Sequence, residues 1–361
     1  ATSGQAVAVD VSNPRSFRNL IINGAMQIAQ RATSAAITGG GYHTVDRFAT
    51  VANSSMSYAV TMSQETDGPT GFDKSLKLLT TTASTPSGSH NYILRTQLEL
   101  DNIRRFAWGT SGSKAGKLSF WVKSNKTGTY TVQPFLIASG TNVSMTASYT
   151  ISSADTWEKK TIDIPAYTTT TTMDSGVTGS GLMLDWGLAS GPDDITSAFS
   201  WTAQSAARAV TGQVNLLDTV NNYWQITGVQ LEVGSYATDF EHKSYSDELL
   251  RCHRYYYLLA KGNSQCMGLG VMTASSELFT TVHFPVHMRV TPSLAATSGT
   301  DYYKMLRNND NDVFTHFDLG GNTTNIVAEL TNDDQVGANV NNTGFVRTNN
   351  ASSHVAFSAE L

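Results

Sequence analysis

The residues best suited to chemistry lie in DWGLASGPDD, residues 185–194, where three aspartates flank a Gly/Pro loop. Glycoside hydrolysis requires a pair of carboxyl groups, and Asp185, Asp193 and Asp194 could supply one. Trp186, beside them, could contact a sugar ring. The same residues could instead cap turns and fill a core. An oxygen-rich loop could also hold Ca²⁺, although these residues do not follow a spaced calcium-loop motif.

Six tryptophans offer flat rings of the kind that stack on sugars. Trp108 and Trp201 lie in polar, loop-like surroundings, RRFAWGTSG and SAFSWTAQS, which favours exposed positions. On this interpretation the predicted ligand-binding residues are Trp108, Trp201, Trp186 and Asp185. The alternative for each ring is packing in a core or at a subunit interface.

The charge pattern and the motifs argue against several other classes of function. The net charge is −5 and the basic residues are scattered, so nucleic acid is not an expected partner. No window approaches the ~18 apolar residues of a membrane span, so membrane insertion is not expected either. His283 and His287 are four apart, but Pro285 between them indicates a strand, and neither a metal nor another cofactor is expected. Cys252 and Cys266 are expected to be free thiols rather than a bridge.

The elements that must position these residues are strands. Charged residues make up 15% of the chain, against a usual value of about 25%, and short β-branched and aromatic segments are separated by Gly, Pro, Asn and Asp. This pattern predicts an all-β fold, with a jelly-roll β-sandwich followed by a second, smaller β domain. The strands predicted in the sandwich are 56–64, 74–82, 117–125, 128–137, 144–152, 158–166, 181–189 and 222–233. The polar break KSNKTGT, residues 123–129, predicts a hairpin between the third and fourth of these.

A helical pattern in SYSDELLRCHRYYYLLAK predicts a junction helix that passes into an aromatic strand. Ser246 or Asp247 is the predicted N-cap. The predicted domains are therefore an N-terminal attachment segment (1–44), the jelly-roll sandwich (45–243), the junction helix (244–261) and a C-terminal β domain (262–361). The apolar strip in NLIINGAMQIAQR, within the first segment, needs a partner surface on its own domain or on a neighbouring subunit.

A further candidate cluster follows ITGVQLE near the end of the predicted sandwich. Glu232, Asp239, Glu241 and His242 could form a site, but the alternation places Glu232 away from the core and Gly228 at a bulge. We therefore predict that these four residues are hinge and capping groups, and that this stretch marks the domain boundary.

Three blocks in fixed order resemble structural proteins of tailed bacteriophages. They are RNLIINGAMQIAQRATS with YHTVDRF, LSFWVKSNKTGTYTV with WEKKTIDIP, and ITGVQLEVGSYATDFEHKSYSDELLRCHRYYY, which together span residues 18–257. The order is similar to that of tail-fibre and related virion proteins that carry a jelly-roll of the carbohydrate-binding-module type. The resemblance implies a homotrimer in the virion, assembled in the host cytoplasm, that binds a host-surface glycan or other virion proteins.

The expected function is that of a short tail or head fibre or spike, which attaches the particle to the host by glycan binding and has no catalytic residues. The N-terminal segment would contact other virion proteins. Two alternatives remain open at this point. One is a polysaccharide depolymerase that uses Asp185, Asp193 or Asp194, and the other is a purely architectural virion component.

Overall fold

The computed structural model describes residues 17–52, 56–138, 141–169, 173, 178–196, 199–203, 208–307, 310–333 and 341–361. The described residues form two compact units. Unit 1 contains residues 17–27, 34–43 and 48–243, and unit 2 contains residues 28–33, 44–47 and 244–361. The predicted N-terminal segment is thus shared between the units from residue 17 onward, and its first sixteen residues lie outside the described part of the chain.

Unit 1 is built from short strands, as the sequence predicts. They are β1 (Ser34–Ile37), β2 (Gly41–Tyr42), β3 (Phe48–Ala52), β4 (Ala59–Glu65), β5 (Ser75–Thr82), β6 (Asn91–Glu99), β7 (Gly116–Ser124), β8 (Gly128–Leu136), β9 (Val143–Ser144), β10 (Ala147–Ile151), β11 (Glu158–Ile164), β12 (Ser180–Ser190), β13 (Ile195–Thr196), β14 (Thr202–Ala203), β15 (Ala209–Val210) and β16 (Tyr223–Val233). One helical turn, α1 (Leu100–Ile103), and three 3₁₀ turns, Arg104–Phe106, Pro192–Asp194 and Leu216–Asp218, connect them.

The strands of unit 1 form two main sheets. One has six strands in the order β1-β4-β5-β16-β7-β11, and the other has eight strands, in the order β14-β9-β8-β12-β6-β3-β2 with β10 paired to β8. Strand alternation sends one set of side chains into the core between the sheets. Trp186 on β12 is fully buried there, 6.4 Å from Phe48 of its own sheet and 5.8 Å from Phe120 of the other. The predicted all-β fold is confirmed.

The predicted hairpin between the third and fourth sandwich strands is wrong. The two strands form as β7 and β8, but β7 belongs to the six-stranded sheet and β8 to the eight-stranded sheet. The polar break therefore carries the chain across the sandwich. Ser124 stabilises this crossing, because its hydroxyl donates to the carbonyl oxygen of Tyr223 at 2.5 Å and accepts from the amide of Lys126 at 3.0 Å.

Residues 19–27 of the N-terminal apolar strip pack on unit 1, to which they belong. The Leu20 amide donates to the Leu231 carbonyl oxygen at 3.0 Å, and the Val229 amide donates to the Gly24 carbonyl oxygen at 2.9 Å, so the strip runs beside β16. Gly24 permits this approach, since a Cβ added there would lie 2.1 Å from the Val229 carbonyl oxygen. Glu241 ties down the start of the strip by accepting from the Asn19 amide at 2.7 Å.

Unit 2 begins with the predicted helix and strand. Helix α2 (Tyr245–His253) has Ser244 as its N-cap, in place of the predicted Ser246 or Asp247, and the Ser244 hydroxyl accepts from the Asp247 amide at 3.1 Å. The strands that follow are β17 (Tyr256–Lys261), β18 (Cys266–Met272), β19 (Leu278–His283), β20 (Ser293–Ala296), β21 (Tyr303–Arg307), β22 (Asp310–Phe314), β23 (Asp318–Leu319), β24 (Val327–Asn332), β25 (Thr343–Thr348) and β26 (His354–Ser358). They form a three-stranded sheet, β17-β26-β20, and a seven-stranded sheet, β22-β21-β25-β18-β19-β24-β23. Cys252 and Cys266 are both free, as predicted.

A buried ionic cluster in unit 2 joins residues that are more than 300 positions apart in the sequence. Glu360 contacts Arg31 at 3.2 Å and also pairs with the buried Arg47. Asp46 accepts from the Gln30 amide at 3.1 Å, but the Arg31 guanidinium lies 3.8 Å away, beyond hydrogen-bond length. Burial raises the pKa of Asp46 to about 6, although Arg31 and Gln30 lower it.

The strip of unit 1 provides the first test of this fold. Gly24→Ala should destabilise unit 1 by about 1–3 kcal/mol, because the new methyl group collides with the Val229 carbonyl oxygen. Gly39→Ala is the matched control, since its Cβ would meet no atom within 4 Å. Urea unfolding followed by tryptophan fluorescence measures unit 1 alone, because every tryptophan lies between residues 108 and 224. Equal losses in the two variants would contradict the packing of the strip on β16.

Asp46 provides a pH-dependent test of unit 2. Because burial raises its pKa above the unfolded value of 3.8, the folded unit binds more protons between pH 3.8 and about pH 6. The stability contributed by Asp46 therefore rises as the pH falls through this window, by up to about 3 kcal/mol. Asp46→Asn stays neutral and should lack this gain. Hydrogen exchange of β26 amides in both proteins measures the difference, and a difference that does not change across the window would contradict the prediction.

Candidate functional site

Asp185 lies at the centre of a polar face on the eight-stranded sheet. Its neighbours on β12 point into the core, so alternation sends Asp185 to the outer face. Arg95 lies directly opposite on β6 and donates Nε and Nη2 to the two carboxylate oxygens at 2.6 and 2.7 Å. Arg208 donates Nη1 to Oδ2 at 2.9 Å. One carboxylate is thus held between two guanidinium groups.

The segment that carries Arg208 lies across the outer face of the sheet. The Arg208 amide donates to the Asp194 carbonyl oxygen at 2.8 Å, and the Val210 amide donates to the Thr131 hydroxyl at 3.0 Å. Gly187 of β12 allows the close approach, because a Cβ there would lie 3.1 Å from the Arg208 carbonyl oxygen. The position of the second guanidinium therefore depends on a glycine in the strand that carries Asp185.

The charged side chains on this face differ in their exposure to solvent. Asp185 is buried, with 2% of its side chain exposed, whereas the side chains of Arg95 and Arg208 are 15% and 22% exposed. Burial lowers the pKa of Arg95, but the hydrogen bonds and charge of Asp185 more than offset this effect, and the pKa is raised overall. The three side chains together carry a net positive charge, and part of each guanidinium reaches the solvent.

Amides, hydroxyls and an aromatic ring extend the polar face. Gln133 lies beside Asp185 on β8, and its Nε2 is 3.2 Å from the Thr146 hydroxyl. The Nε2 atom of Gln97 on β6 lies 3.5 Å from the hydroxyl oxygen of Tyr42. The ring of Phe135 lies 5.7 Å from the Arg208 guanidinium. Gln133, Thr146 and Phe135 are buried, so Gln97 and Tyr42 are the members of this group that reach solvent.

The other two predicted aspartates lie in the 3₁₀ turn after β12. Asp193 is exposed, and its amide donates to the Gly88 carbonyl oxygen at 3.0 Å. Asp194 accepts from the Asn91 side chain at 2.7 Å. Burial raises the pKa of Asp194, which Asn91 and Arg208 lower in part. The two aspartates thus shape the turn that leads to Arg208.

The tryptophans lie elsewhere. Trp186 fills the core, and Trp108 is buried, stacked on Phe106 at 4.1 Å, so the predicted exposure of Trp108 is wrong. Trp201 is half-buried, 5.6 Å from Trp108 and 5.7 Å from Tyr167, and its Nε1 donates to the Pro165 carbonyl oxygen at 2.8 Å. Mutual packing of aromatic rings explains why these polar-flanked tryptophans are covered. The structure brings Trp108 and Trp201 together, in a cluster built from elements other than those around Asp185.

The cluster predicted to mark the domain boundary acts through hydrogen bonds. Glu232 points away from the core but is buried. Its carboxylate accepts hydrogen bonds from the amide and the hydroxyl of Thr238 at 2.9 and 2.7 Å. Glu241 pairs with Lys243 at 3.1 Å. Gly228 lies at the predicted bulge, where the β16 register shifts and φ is +62°. Glu232 and Glu241 are thus held by local hydrogen bonds and an ion pair, whereas the hinge role of the four residues stays a prediction.

Sequence reasoning missed both arginines of the polar face. Arg95 is the one cation in NYILRTQLEL, and the other charged residue there is Glu99. A single cation within a predicted strand is a signal for an outward-facing position. Arg208 follows the sequence TAQSAA and carries no comparable signal. In the described part of the chain, no group of three or more His, Cys, Asp or Glu is placed to hold a metal ion. No helix among the described residues is long and apolar enough to cross a membrane.

Comparison with known proteins gives distant likenesses. No protein-family model and no curated protein matches the chain. Among solved structures, the enzymatically active domain of tailspike protein 4 from Bacteriophage CBA120 is 14% identical, with a TM-score of 0.34, and the match covers 60% of this chain and 22% of the tailspike chain. A family 11 carbohydrate-binding module from Clostridium thermocellum, solved with a mixed-linked tetrasaccharide, is 11% identical over 58% of this chain and 98% of its own, with a TM-score of 0.28. The C-terminal family 22 carbohydrate-binding module of a Clostridium thermocellum protein is 9% identical over 63% and 100%, with a TM-score of 0.32. These identities and scores are too low to assign a family or a function.

The ion pairs on the polar face can be tested by stability. Arg95→Met should destabilise unit 1 by about 2–4 kcal/mol, because it leaves the buried Asp185 with one guanidinium partner. Arg104→Met is the matched control, since the Arg104–Asp101 pair is exposed and should be worth less than about 1 kcal/mol. Tryptophan-monitored urea unfolding measures both, and a loss in Arg95→Met no larger than in the control would contradict the assignment.

Proposed function

We propose that this protein binds a glycan through the outer face of the eight-stranded sheet of unit 1. The observation that carries the proposal is the buried Asp185 carboxylate held between the partly exposed guanidinium groups of Arg95 and Arg208. Sugar hydroxyls are paired donors and acceptors, and fixed guanidinium and amide groups bind them without losing side-chain freedom on binding. A site on strands is also held more rigidly than a site on loops.

Each group on this face has a distinct role in the proposed complex. Arg95 and Arg208 donate to hydroxyl or carboxylate oxygens of the sugar through the N–H groups that face solvent. Gln97 can donate and accept. The partly exposed ring of Tyr42 offers apolar surface to the C–H face of a sugar ring. Asp185 acts as a positioning residue, because it orients both guanidinium groups.

Binding without hydrolysis is the better-supported form of the proposal. A glycosidase needs one carboxyl group that can donate a proton and another that can attack or activate water. Both oxygens of Asp185 accept from guanidinium groups, and Asp194 accepts from Asn91. Neither of these two carboxylates is presented in the way that either role requires, and Asp193, the third candidate, is exposed in the turn after β12.

The biological setting rests on the sequence blocks described above. We propose that the protein is a short tail or head fibre or spike of a tailed bacteriophage, located in the virion, that attaches the particle to the host surface. Assembly as a homotrimer would place several such sites on one body, and linked weak sites raise the effective concentration at a surface. The purely architectural role remains the alternative, and it differs by requiring no glycan affinity.

Glycan affinity is measured directly on an array of bacterial surface oligosaccharides. Arg208→Gln should weaken binding to any glycan that the wild type retains by about tenfold or more, because it removes the guanidinium that reaches solvent. Arg104→Gln, at the exposed pair with Asp101, should bind as the wild type does. Wild-type protein that retains no glycan, or equal binding by both variants, would overturn the proposal.

Hydrolysis is tested on the same glycans in solution. Incubation with the polysaccharide that the wild type binds should release no new reducing ends. Sustained release that Asp185→Asn, Asp193→Asn or Asp194→Asn abolishes would establish the depolymerase instead.

A further inference from the structure

The outer face of the seven-stranded sheet in unit 2 carries a row of apolar side chains. Leu269 of β18 and Phe345 of β25 lie directly opposite each other and are 65% and 56% exposed. Leu306 of β21 lies beside Phe345 and is partly exposed. Val271 and Phe279 form the next pair, across β18 and β19. The five residues, here called the apolar face, lie on four neighbouring strands.

The apolar face is not a by-product of a mispaired strand. Strand alternation sends Val346 and Met305 into the core of unit 2, and both are fully buried there. Their immediate neighbours in sequence, Leu306 after Met305 and Phe345 before Val346, point outward, where polar side chains would suffice for folding. Contiguous exposed apolar side chains of this kind mark interaction surfaces.

Charges of opposite sign flank the apolar face. On the β21–β25 side, Lys304 and Arg347 occupy adjacent outward positions. On the β24–β23 side, Glu329 and Asp318 occupy outward positions. The basic pair lies one outward position further along β21 and β25 than Leu306 and Phe345, whereas the acidic pair lies on β24 and β23, beyond Phe279. The basic flank and the acidic flank therefore lie at opposite corners of the apolar face.

We propose that the apolar face is the surface through which copies of this chain associate. When copies are arranged about an axis that lies in the plane of the sheet and passes between the two corners, diagonally across the strands, the basic flank of each copy meets the acidic flank of the next. The apolar residues then pack against each other at the axis. This complementarity holds for two copies and for three. An anionic membrane surface would repel the acidic flank, so a second copy is the partner that both flanks fit.

This inference deepens the self-assembly within the proposed function and does not depend on glycan binding. It assigns the contact to unit 2, whereas the polar face that we propose for glycan lies in unit 1. The two proposals can therefore fail separately.

The first test measures mass by sedimentation velocity at micromolar concentration. Wild-type protein should be a multimer, and Leu269→Ser with Phe345→Ser should raise the dissociation constant by about tenfold or more. Ile326→Ser is the matched control, because Ile326 is 46% exposed in the same unit but outside the apolar face. Monomeric wild-type protein would overturn self-assembly altogether. A wild-type mass in the Leu269/Phe345 variant would overturn the assignment of the surface and leave self-assembly standing.

The second test reverses the flanks. Lys304→Glu with Arg347→Glu, or Glu329→Lys with Asp318→Lys, should each drive the protein toward monomers at low salt, because like charges then meet. The variant with all four substitutions should regain the multimer, since its flanks are again opposite. Thermal unfolding of each variant confirms that unit 2 is folded. Failure of the fourfold variant to reassemble, with unit 2 intact, would overturn the charge pairing.

Discussion

The alternation of β12 is the constraint on which the account of unit 1 depends. One strand sends Trp186 into the core between the sheets and Asp185 to the opposite face, because successive side chains of a strand point to opposite sides. The carboxylate can be buried there because it is neutralised by the guanidinium groups of Arg95 on β6 and of Arg208, the residue directly before β15. Gly187, two residues beyond Asp185, then admits the backbone of the Arg208 segment. Core packing and the polar face are thus consequences of the same eleven-residue strand.

Local sequence patterns were sufficient to predict the strands, because the residues at the strand ends mark where the alternation stops. Residues 222–233 were predicted and β16 spans Tyr223–Val233, since period-two alternation bounded by Asn and Gly leaves little freedom. The passage from helix to strand at residues 244–261 followed from an acidic first turn and the aromatic run after it. The hairpin at KSNKTGT failed because a polar break of that length serves a sheet-to-sheet crossing as well as it serves a hairpin.

The site was predictable in part. Asp185 was identified from its neighbours in sequence, but its partners lie 90 and 23 residues away, a separation that no local pattern encodes. For Trp108 and Trp201 the sequence predicted too much exposure. Their polar neighbours in sequence favoured exposed positions, but both rings pack against aromatic rings from distant segments. Burial of an aromatic ring is decided by tertiary contacts, whereas the alternation that placed Asp185 is decided by the strand itself.

In the proposed glycan complex, Arg95 and Arg208 contact the sugar. Nuclear magnetic resonance of the arginine Nε–H groups, recorded during titration with an oligosaccharide of the host surface, tests it most directly. The account predicts that the Arg95 and Arg208 resonances shift with a common dissociation constant while the indole N–H of the buried Trp186 stays unchanged. Shifts confined to the indole of Trp201, with both arginine resonances unmoved, would contradict it.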